Sequence, residues 1–352
     1  MPRSLEIGGR RIGPGEPLFV IAEIGPTRGA PLDRALALVD AASEGGAAAI
    51  TFQTVVTGRS VSAGRPVLIG AEDPAPVSSR PCELDEPAYQ AIAARARTHG
   101  LAVIATPSSL RAVDMLERLA VDAYKIASGD LTYHGLIDYC ARTRKPVVLS
   151  TGMATVSEIQ QSIWSVARAG GRHTALLHCV SAYPVPRGSE NLRAIATLAG
   201  NFGLPIGLSD HATVTSAVPI AISLGASLYE RHLRLDGEKD VSRGVSITSA
   251  ELAALVSLAA ETNDALGHGR KECLPAEAGN LVSSRRSLRA TRCLPAGHVV
   301  SADDIAVLRP GTGLPPELEA DLIGVRLTRA IDDGSPFLPC DLPTLGGTRV
   351  AA

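Results

Sequence analysis

The chain has 352 residues, 45% apolar and 20% charged, a composition that lets it bury a core as one large domain or two ordinary ones and argues against disorder. A formal net charge of −2 leaves none of the basic footprint of a nucleic-acid binder, and no apolar run approaches the ~20 residues that span a bilayer. The N-terminal stretch "MPRSLEIGGRRIGPGEPLFV" lacks the continuous apolar segment of a signal peptide. The six cysteines (Cys82, Cys140, Cys179, Cys273, Cys293, Cys340) show no CxxC spacing. They read as reduced thiols of a cytoplasmic protein, not as a disulfide framework or zinc site.

In chain order, short apolar runs alternate with helical patterns. The candidate strands are "LFVIAEI", "AAAITFQ", "LAVIATP", "DAYKIAS", "PVVLST", "TALLHCV", "LPIGLS" and "SLYERHL". Runs apolar throughout imply burial on both faces, as in a parallel sheet. Between the first two, "PLDRALALVDAASEGG" sets Leu32, Ala35, Leu36, Leu38, Val39 and Ala42 on one stripe, and Gly45 and Gly46 suit a helix end. In "TVSEIQQSIWSVARAGG", Thr155 with Glu158 three residues on makes a capping box. Eight such units ending near residue 265 have the size of a TIM (β/α)8 barrel. A doubly wound open sheet is the competing architecture, weakened because no GxGxxG follows the first strand.

Residues 55–81 form a long Gly-, Pro- and Ser-rich connection. It reads as a substrate-contacting lid on the C-terminal face of the barrel or as simple disorder. After residue 267 the pattern changes: 268–284 is a polar linker, 285–343 a small β-rich domain with turn signals at "LPAGH", "RPGTGLPP" and "DDGSP", and 344–352 a flexible tail.

In a TIM barrel the catalytic groups stand at the C-terminal strand ends. That rule selects Glu23, Gln53, Thr106, Lys125, Ser128, Ser150, Thr151, Ser181, Tyr183, Ser209, Asp210, His211, Glu230 and His232. So many convergent polar groups suggest a pocket for a polar, anionic substrate. Lys125, inside "YKIASG", must be paired if buried. Its partner is either a buried carboxylate or a substrate phosphate or carboxylate, the latter helped by Ser128, Gly129 and Ser150. His211 and His232 close the seventh and eighth strands. Adjacent strands lie about 4.8 Å apart, so the two imidazoles can share one divalent cation, with Asp210 and Glu230 as outer partners. Two nitrogens plus waters and substrate oxygens suit an open, catalytic site for Mn2+ or a similar ion.

The stretches "IAEIG", "FQT", "ATPSSL", "YKIASGD", "LSTGMAT", "LLHCVSAYP", "LRAI", "GLSDH" and "ERH", followed by "RRSL", "RPGTGL", "LIG" and "TRAI", resemble the N-acetylneuraminate (sialic acid) synthase family in order and spacing, from about residue 16 to 340. The resemblance implies a barrel followed by an antifreeze-like (SAF) domain, and a domain-swapped homodimer. It implies condensation of phosphoenolpyruvate with the open-chain aldehyde of an amino sugar or another aldose. C3 of phosphoenolpyruvate attacks the aldehyde, water adds at C2, and phosphate leaves with C–O cleavage, giving a 2-keto-3-deoxy sugar acid. By the same resemblance, His211 and His232 bind the metal, which is Mn2+ with Mg2+ or Co2+ as alternatives. Lys125, Thr106, Ser128, Ser150, Ser181 and Ser209 hold phosphoenolpyruvate. Glu23, Gln53, Asp130, Tyr183 and Glu230 line the sugar or metal region, and Arg309 reaches the sugar of the partner chain.

The chain also departs from the family pattern. "PTRGAP" stands where the family reads Asn-His-Asn-Gly, Thr51 replaces a lysine that contacts phosphoenolpyruvate, and Ala182 stands where asparagine is common. "EKDVSRG" replaces a turn bearing a sugar-binding aspartate, with Ser242 near its place and Asp240 two residues earlier. One of Arg28, Arg59 and Arg65 is expected to restore the lost lysine charge. Arg28→Ala should then raise the KM for phosphoenolpyruvate, and an unchanged KM rejects that substitution. Two rival readings are a barrel that binds a sugar or phosphate without catalysis, and a metal-dependent aldolase with another donor.

Overall fold

The computed structural model describes residues 4–25, 32–54, 84–214, 216–238 and 244–342. Arg28, the connection 55–81 with Arg59 and Arg65, Asp240, Ser242 and the tail 344–352 lie outside the described residues. The chain divides after Gly267 into two compact units.

In the first unit, eight parallel strands close into a barrel. They are β3 (Phe19–Glu23), β4 (Ala49–Thr54), β5 (Ala102–Pro107), β6 (Ala123–Ile126), β7 (Val147–Ser150), β8 (Thr174–Cys179), β9 (Ile206–Asp210) and β10 (Ala226–His232). Each coincides with one of the eight apolar runs, and β10 pairs with both β9 and β3 to complete the circle. Helices α1 (Leu32–Glu44), α2 (Glu86–Thr98), α3 (Leu110–Arg118), α4 (His134–Arg142), α5 (Val156–Arg168), α6 (Ala194–Phe202), α7 (Ala217–Ser223) and α8 (Ser249–Leu266) follow the strands. The expected capping box is present at α5, where Glu158 N–H donates to Thr155 Oγ1 at 3.3 Å and Thr155 N–H to Glu158 Oε2 at 2.7 Å. Gly46, at the end of α1, adopts φ +76°, the left-handed conformation that glycine takes without Cβ strain.

Strand alternation sorts side chains into two sets. Val20, Ala22, Ile50, Phe52, Tyr124, Ile126, Leu149 and Leu208 face the helices in the larger core. Phe19, Ile21, Ala49, Ile104, Ala123, Val148, Ala175, Leu177 and Leu228 fill the barrel interior. That inner core also takes in Leu5, Ile7 and Ile12 from a hairpin, β1 (Leu5–Ile7) and β2 (Arg10–Ile12), which the strand reading did not foresee. Gly8 and Gly9 turn it with φ of +56° and +76°, the positive values that a tight two-residue hairpin turn requires. Because Phe19, Ala48 and Ala102 lie at strand N-termini, the hairpin caps the end of the barrel opposite the candidate site.

In the second unit, β11 (Ser287–Ala290) pairs antiparallel with β12 (Ile305–Leu308) over a core of Leu288, Leu294, Leu314, Leu327, Ile331 and Phe337. Most of its backbone lies in turns and isolated bridges. Within the 268–284 segment, exposed throughout, Pro275 opens a turn that continues into helix α9 (Ala278–Ser284). Proline suits the first turn of a helix because its missing N–H is not needed there.

Candidate active site

The inward-facing positions change character along each strand. Below are Ile21, Ala123, Val148, Leu177 and Leu228; one step toward the C-terminus stand Glu23, Lys125, Ser150, Cys179 and Glu230. Parity therefore puts polar groups from five strands at the barrel mouth, with His232 two residues beyond Glu230.

Lys125 and Glu230 form the centre. Lys125 Nζ is 2.6 Å from Glu230 Oε1 and 2.7 Å from Oε2, and Ser209 Oγ donates to Oε2 at 2.6 Å. Glu23 Oε2 is 3.8 Å from the same ammonium. Burial opposes the charge on Lys125, but the carboxylates of Glu230 and Glu23 outweigh it and hold the ammonium above the usual lysine range. Burial likewise works against an ionised Glu230, and Lys125 outweighs it, keeping that carboxyl below its ordinary value. Glu23 has the weaker contact with the ammonium, so burial prevails and pushes its carboxyl up to about 7. Of the two partners weighed for Lys125, the buried carboxylate is thus present in the chain itself.

Beside this pair is a group of hydroxyls. Ser128 Oγ lies 2.9 Å from Ser150 Oγ and accepts from the Gly152 N–H at 3.0 Å. A Cβ on Gly152 would stand 2.2 Å from Ser181 Oγ and 2.8 Å from Ser128 Oγ, so a glycine is what lets these hydroxyls close around its backbone. An ammonium with hydroxyls and a backbone amide is a suitable cradle for a phosphate or carboxylate. Thr106 and Thr51 are buried on β5 and β4, and neither Oγ1 has a hydrogen-bond partner among the described residues. Thr51 pairs in register with Glu23.

His211 and His232 come together as the sequence predicted, with ring centroids 5.2 Å apart and planes at 43°. The Tyr183 ring stands 4.3 Å from that of His211 and 6.1 Å from that of His232, and burial pushes its phenol up to about 12. His211 Nδ1 lies 3.3 Å from the Val180 carbonyl and 3.7 Å from Cys179 Sγ. With Nδ1–H donating to that carbonyl, Nε2 keeps its lone pair, the arrangement typical of a metal-ligating histidine. His232 is pushed down to about 3, first by burial and then by His211, and so presents a neutral imidazole. The two rings are close enough to share one cation at ~2.1 Å from each nitrogen. Among the described residues no group of three or more His, Cys, Asp or Glu side chains is arranged around a common point. The pair therefore fits an open site completed by waters and substrate, not a closed structural one.

One expected outer partner of the histidines, Asp210, is corrected. Asp210 accepts from Tyr229 OH (2.5 Å) and the Ala212 N–H (2.8 Å) and meets Arg231, while Glu230 serves Lys125 and Ser209. Asp210 contacts no imidazole in these bonds, because strand alternation turns it toward the helices, whereas Glu230 faces the mouth with His232 and interacts with it electrostatically. Thr151, also selected as a strand-end hydroxyl, donates instead to the Leu177 carbonyl at 2.9 Å. Gln53 is exposed on β4 in register with Thr106. Asp130 is half-buried in the turn after β6, and burial raises its carboxyl. Arg309, in the second unit, is exposed and donates from Nε to the Ser284 carbonyl at 2.7 Å.

Two site residues were missed from sequence. Gly152 lies within "LSTGMAT", and only the folded loop reveals its close approach. Cys179 sits at the inward end of β8, and continuing the parity of Ala175 and Leu177 would have found it. Burial works against its thiolate, but the hydrogen bond and charge of His211, together with Ser128 and Lys125, outweigh this and lower its pKa.

Residues 38–271 match the NeuB family, and residues 285–343 match the SAF domain. The chain belongs to the NeuB family. An uncharacterised protein of Methanocaldococcus jannaschii is 35% identical to this NeuB-family chain over 329 residues, 93% of this chain and 94% of that one. The N,N'-diacetyllegionaminic acid synthase of Legionella pneumophila is 31% identical, covering 91% of this chain and 93% of its own. The crystal structure of an N-acetylneuraminic acid (sialic acid) synthetase from Leptospira borgpetersenii, in complex with citrate, superimposes with a TM-score of 0.70 at 29% identity, covering 80% of this chain and 96% of that one. This NeuB-family member is thus a sialic acid synthase-like enzyme, with a TIM barrel followed by a SAF domain. Among the described residues no helix is long and apolar enough to cross a membrane.

Proposed function

We propose that the enzyme condenses phosphoenolpyruvate with an aldose in a metal-dependent reaction, giving a 2-keto-3-deoxy sugar acid and phosphate. The observation that carries the proposal is the meeting, at one barrel mouth, of the Lys125–Ser128–Ser150–Gly152 cradle with the His211–His232 pair. The cradle offers hydrogen bonds to the phosphate of the donor, and its neighbours Thr106, Ser181 and Ser209 add hydroxyls. His211 and His232 hold a divalent ion, with Mn2+ the first choice, which when bound polarises the aldehyde oxygen. The new bond joins C3 of phosphoenolpyruvate to the aldehyde carbon; water adds at C2 and phosphate departs. The acceptor oxygen gains a proton while the added water loses one. Glu23, poised near neutral pH, is the side chain suited to move that proton.

Gln53, Asp130 and Tyr183 face the acceptor in this reading. Arg309 contacts it from the second chain of a domain-swapped homodimer in the cytoplasm. Thr51 in place of the family lysine removes one cation from the donor's surroundings, and Arg28 is the residue proposed to replace it.

The test is incubation of the purified protein with Mn2+, phosphoenolpyruvate and a panel of aldoses, measuring inorganic phosphate together with product mass. Phosphate release matched to a new acid supports the proposal. No release with any aldose, together with no thermal protection by phosphoenolpyruvate, rejects it.

A further inference from the structure

Asp210 and Arg231 are the residues immediately before His211 and His232, and they pair in register on β9 and β10. Alternation sends the histidines to the barrel mouth and this pair to the opposite face. Both are buried, at 4% and 7% exposure. Arg231 Nη1 lies 2.7 Å from Asp210 Oδ2 and 3.4 Å from the Asp210 carbonyl. Tyr229 OH donates to the same Oδ2 at 2.5 Å. Asp210 Oδ1 takes the Ala212 N–H at 2.8 Å, closing a turn around His211. On the other strand, the His232 carbonyl accepts from the Ile247 N–H at 2.9 Å, and the Glu23 carbonyl accepts from the Leu233 N–H at 2.9 Å.

Such a pair is poorly explained by stability alone. Desolvating two charges can exceed their mutual attraction, and an apolar pair of similar volume is often as stable. Many outward positions of this barrel are indeed apolar, including Ala22, Phe52, Ile126, Leu149 and Leu208. Arg231 Nε is moreover buried with no hydrogen-bond partner among the described residues, an arrangement that is not the most favourable one for the fold. What the pair supplies and an apolar contact does not is direction. A short ion pair reinforced by Tyr229 and by the Ala212 amide fixes the ends of β9 and β10 relative to each other, one residue behind each imidazole.

We propose that Asp210 and Arg231 are positioning residues that set the spacing of His211 and His232, and thereby the affinity of the site for a divalent cation. This rests on the metal reading given above. The pair touches neither substrate nor metal and acts through the backbone of the two histidines.

The test is Mn2+ binding to EDTA-treated protein, read by electron paramagnetic resonance of free Mn2+, with thermal melts and circular dichroism beside it. Asp210→Asn and Arg231→Met should each weaken Mn2+ binding by about 10- to 100-fold, the range for residues that orient metal ligands. Arg231→Lys, which keeps the charge, should recover part of it. The double variant Asp210→Asn with Arg231→Met leaves no lone buried charge, so it folds even if a single variant does not, and it should still bind Mn2+ weakly. Folded variants that bind Mn2+ as the wild type does overturn the positioning role and leave the metal site intact. Absence of Mn2+ binding by the wild-type protein overturns the metal reading itself, and this one with it.

Discussion

Lys125 Nζ stands 2.6 Å from Glu230 Oε1 and 3.8 Å from Glu23 Oε2, one ammonium between two buried carboxylates. Both acids lean on the same cation, and removing it leaves Glu230 without its counter-charge. Lys125→Met should therefore lower stability by about 3–5 kcal/mol, the range for breaking a buried pair from one side. It should also abolish thermal protection by phosphoenolpyruvate, and differential scanning fluorimetry with and without phosphoenolpyruvate checks both effects.

The raised carboxyl of Glu23 predicts a pH dependence of folding. Its folded value of about 7 exceeds the ordinary 4.5, so the native state binds more protons than the unfolded one between those values. The stability this group contributes is fully present below about 4.5 and is lost as pH rises through about 7. Urea unfolding of metal-free protein from pH 4.5 to 7.5 should show that fall, and Glu23→Gln should flatten it. An equal slope in the variant assigns the effect to another group.

Either His211→Ala or His232→Ala removes one of the two imidazoles and should lower Mn2+ affinity by at least the 10–100-fold seen for outer partners of metal ligands. Titration calorimetry is the check. Because His232 stays neutral down to about 3, its own protonation should not weaken Mn2+ binding between pH 5 and 8.

Gly152→Ala places a methyl 2.2 Å from Ser181 Oγ and 2.8 Å from Ser128 Oγ. Both are side-chain hydroxyls that can rotate away, so the barrel should fold while the cradle opens. A rise in KM for phosphoenolpyruvate of about tenfold, corresponding to ~1.4 kcal/mol, with a melting temperature near that of the wild type, is the expected steady-state result.

Much of the barrel was legible because its strands are buried on both faces and so appear as apolar runs at regular spacing. The capping box at Thr155 and Glu158 was legible because it is a local motif. The β1–β2 hairpin was not, since strands of three residues carry too little periodicity to register. His211 and His232 were legible as strand-end imidazoles, whereas the outward turn of Asp210 depended on the phase of β9. Gly152 was hidden because its approach to Ser128 and Ser181 joins loops after three different strands.

The sequence by itself determined the eight strand–helix units, the change of pattern after residue 267 and the set of polar strand ends, because periodicity, caps and turn residues are properties of neighbours along the chain. Only the tertiary structure decided which acid neutralises Lys125, which carboxyl rises toward 7, and that Asp210 pairs with Arg231 behind the histidines. Those outcomes depend on distances across the barrel and on burial of the side chains at its mouth, and both arise only when β10 closes on β3.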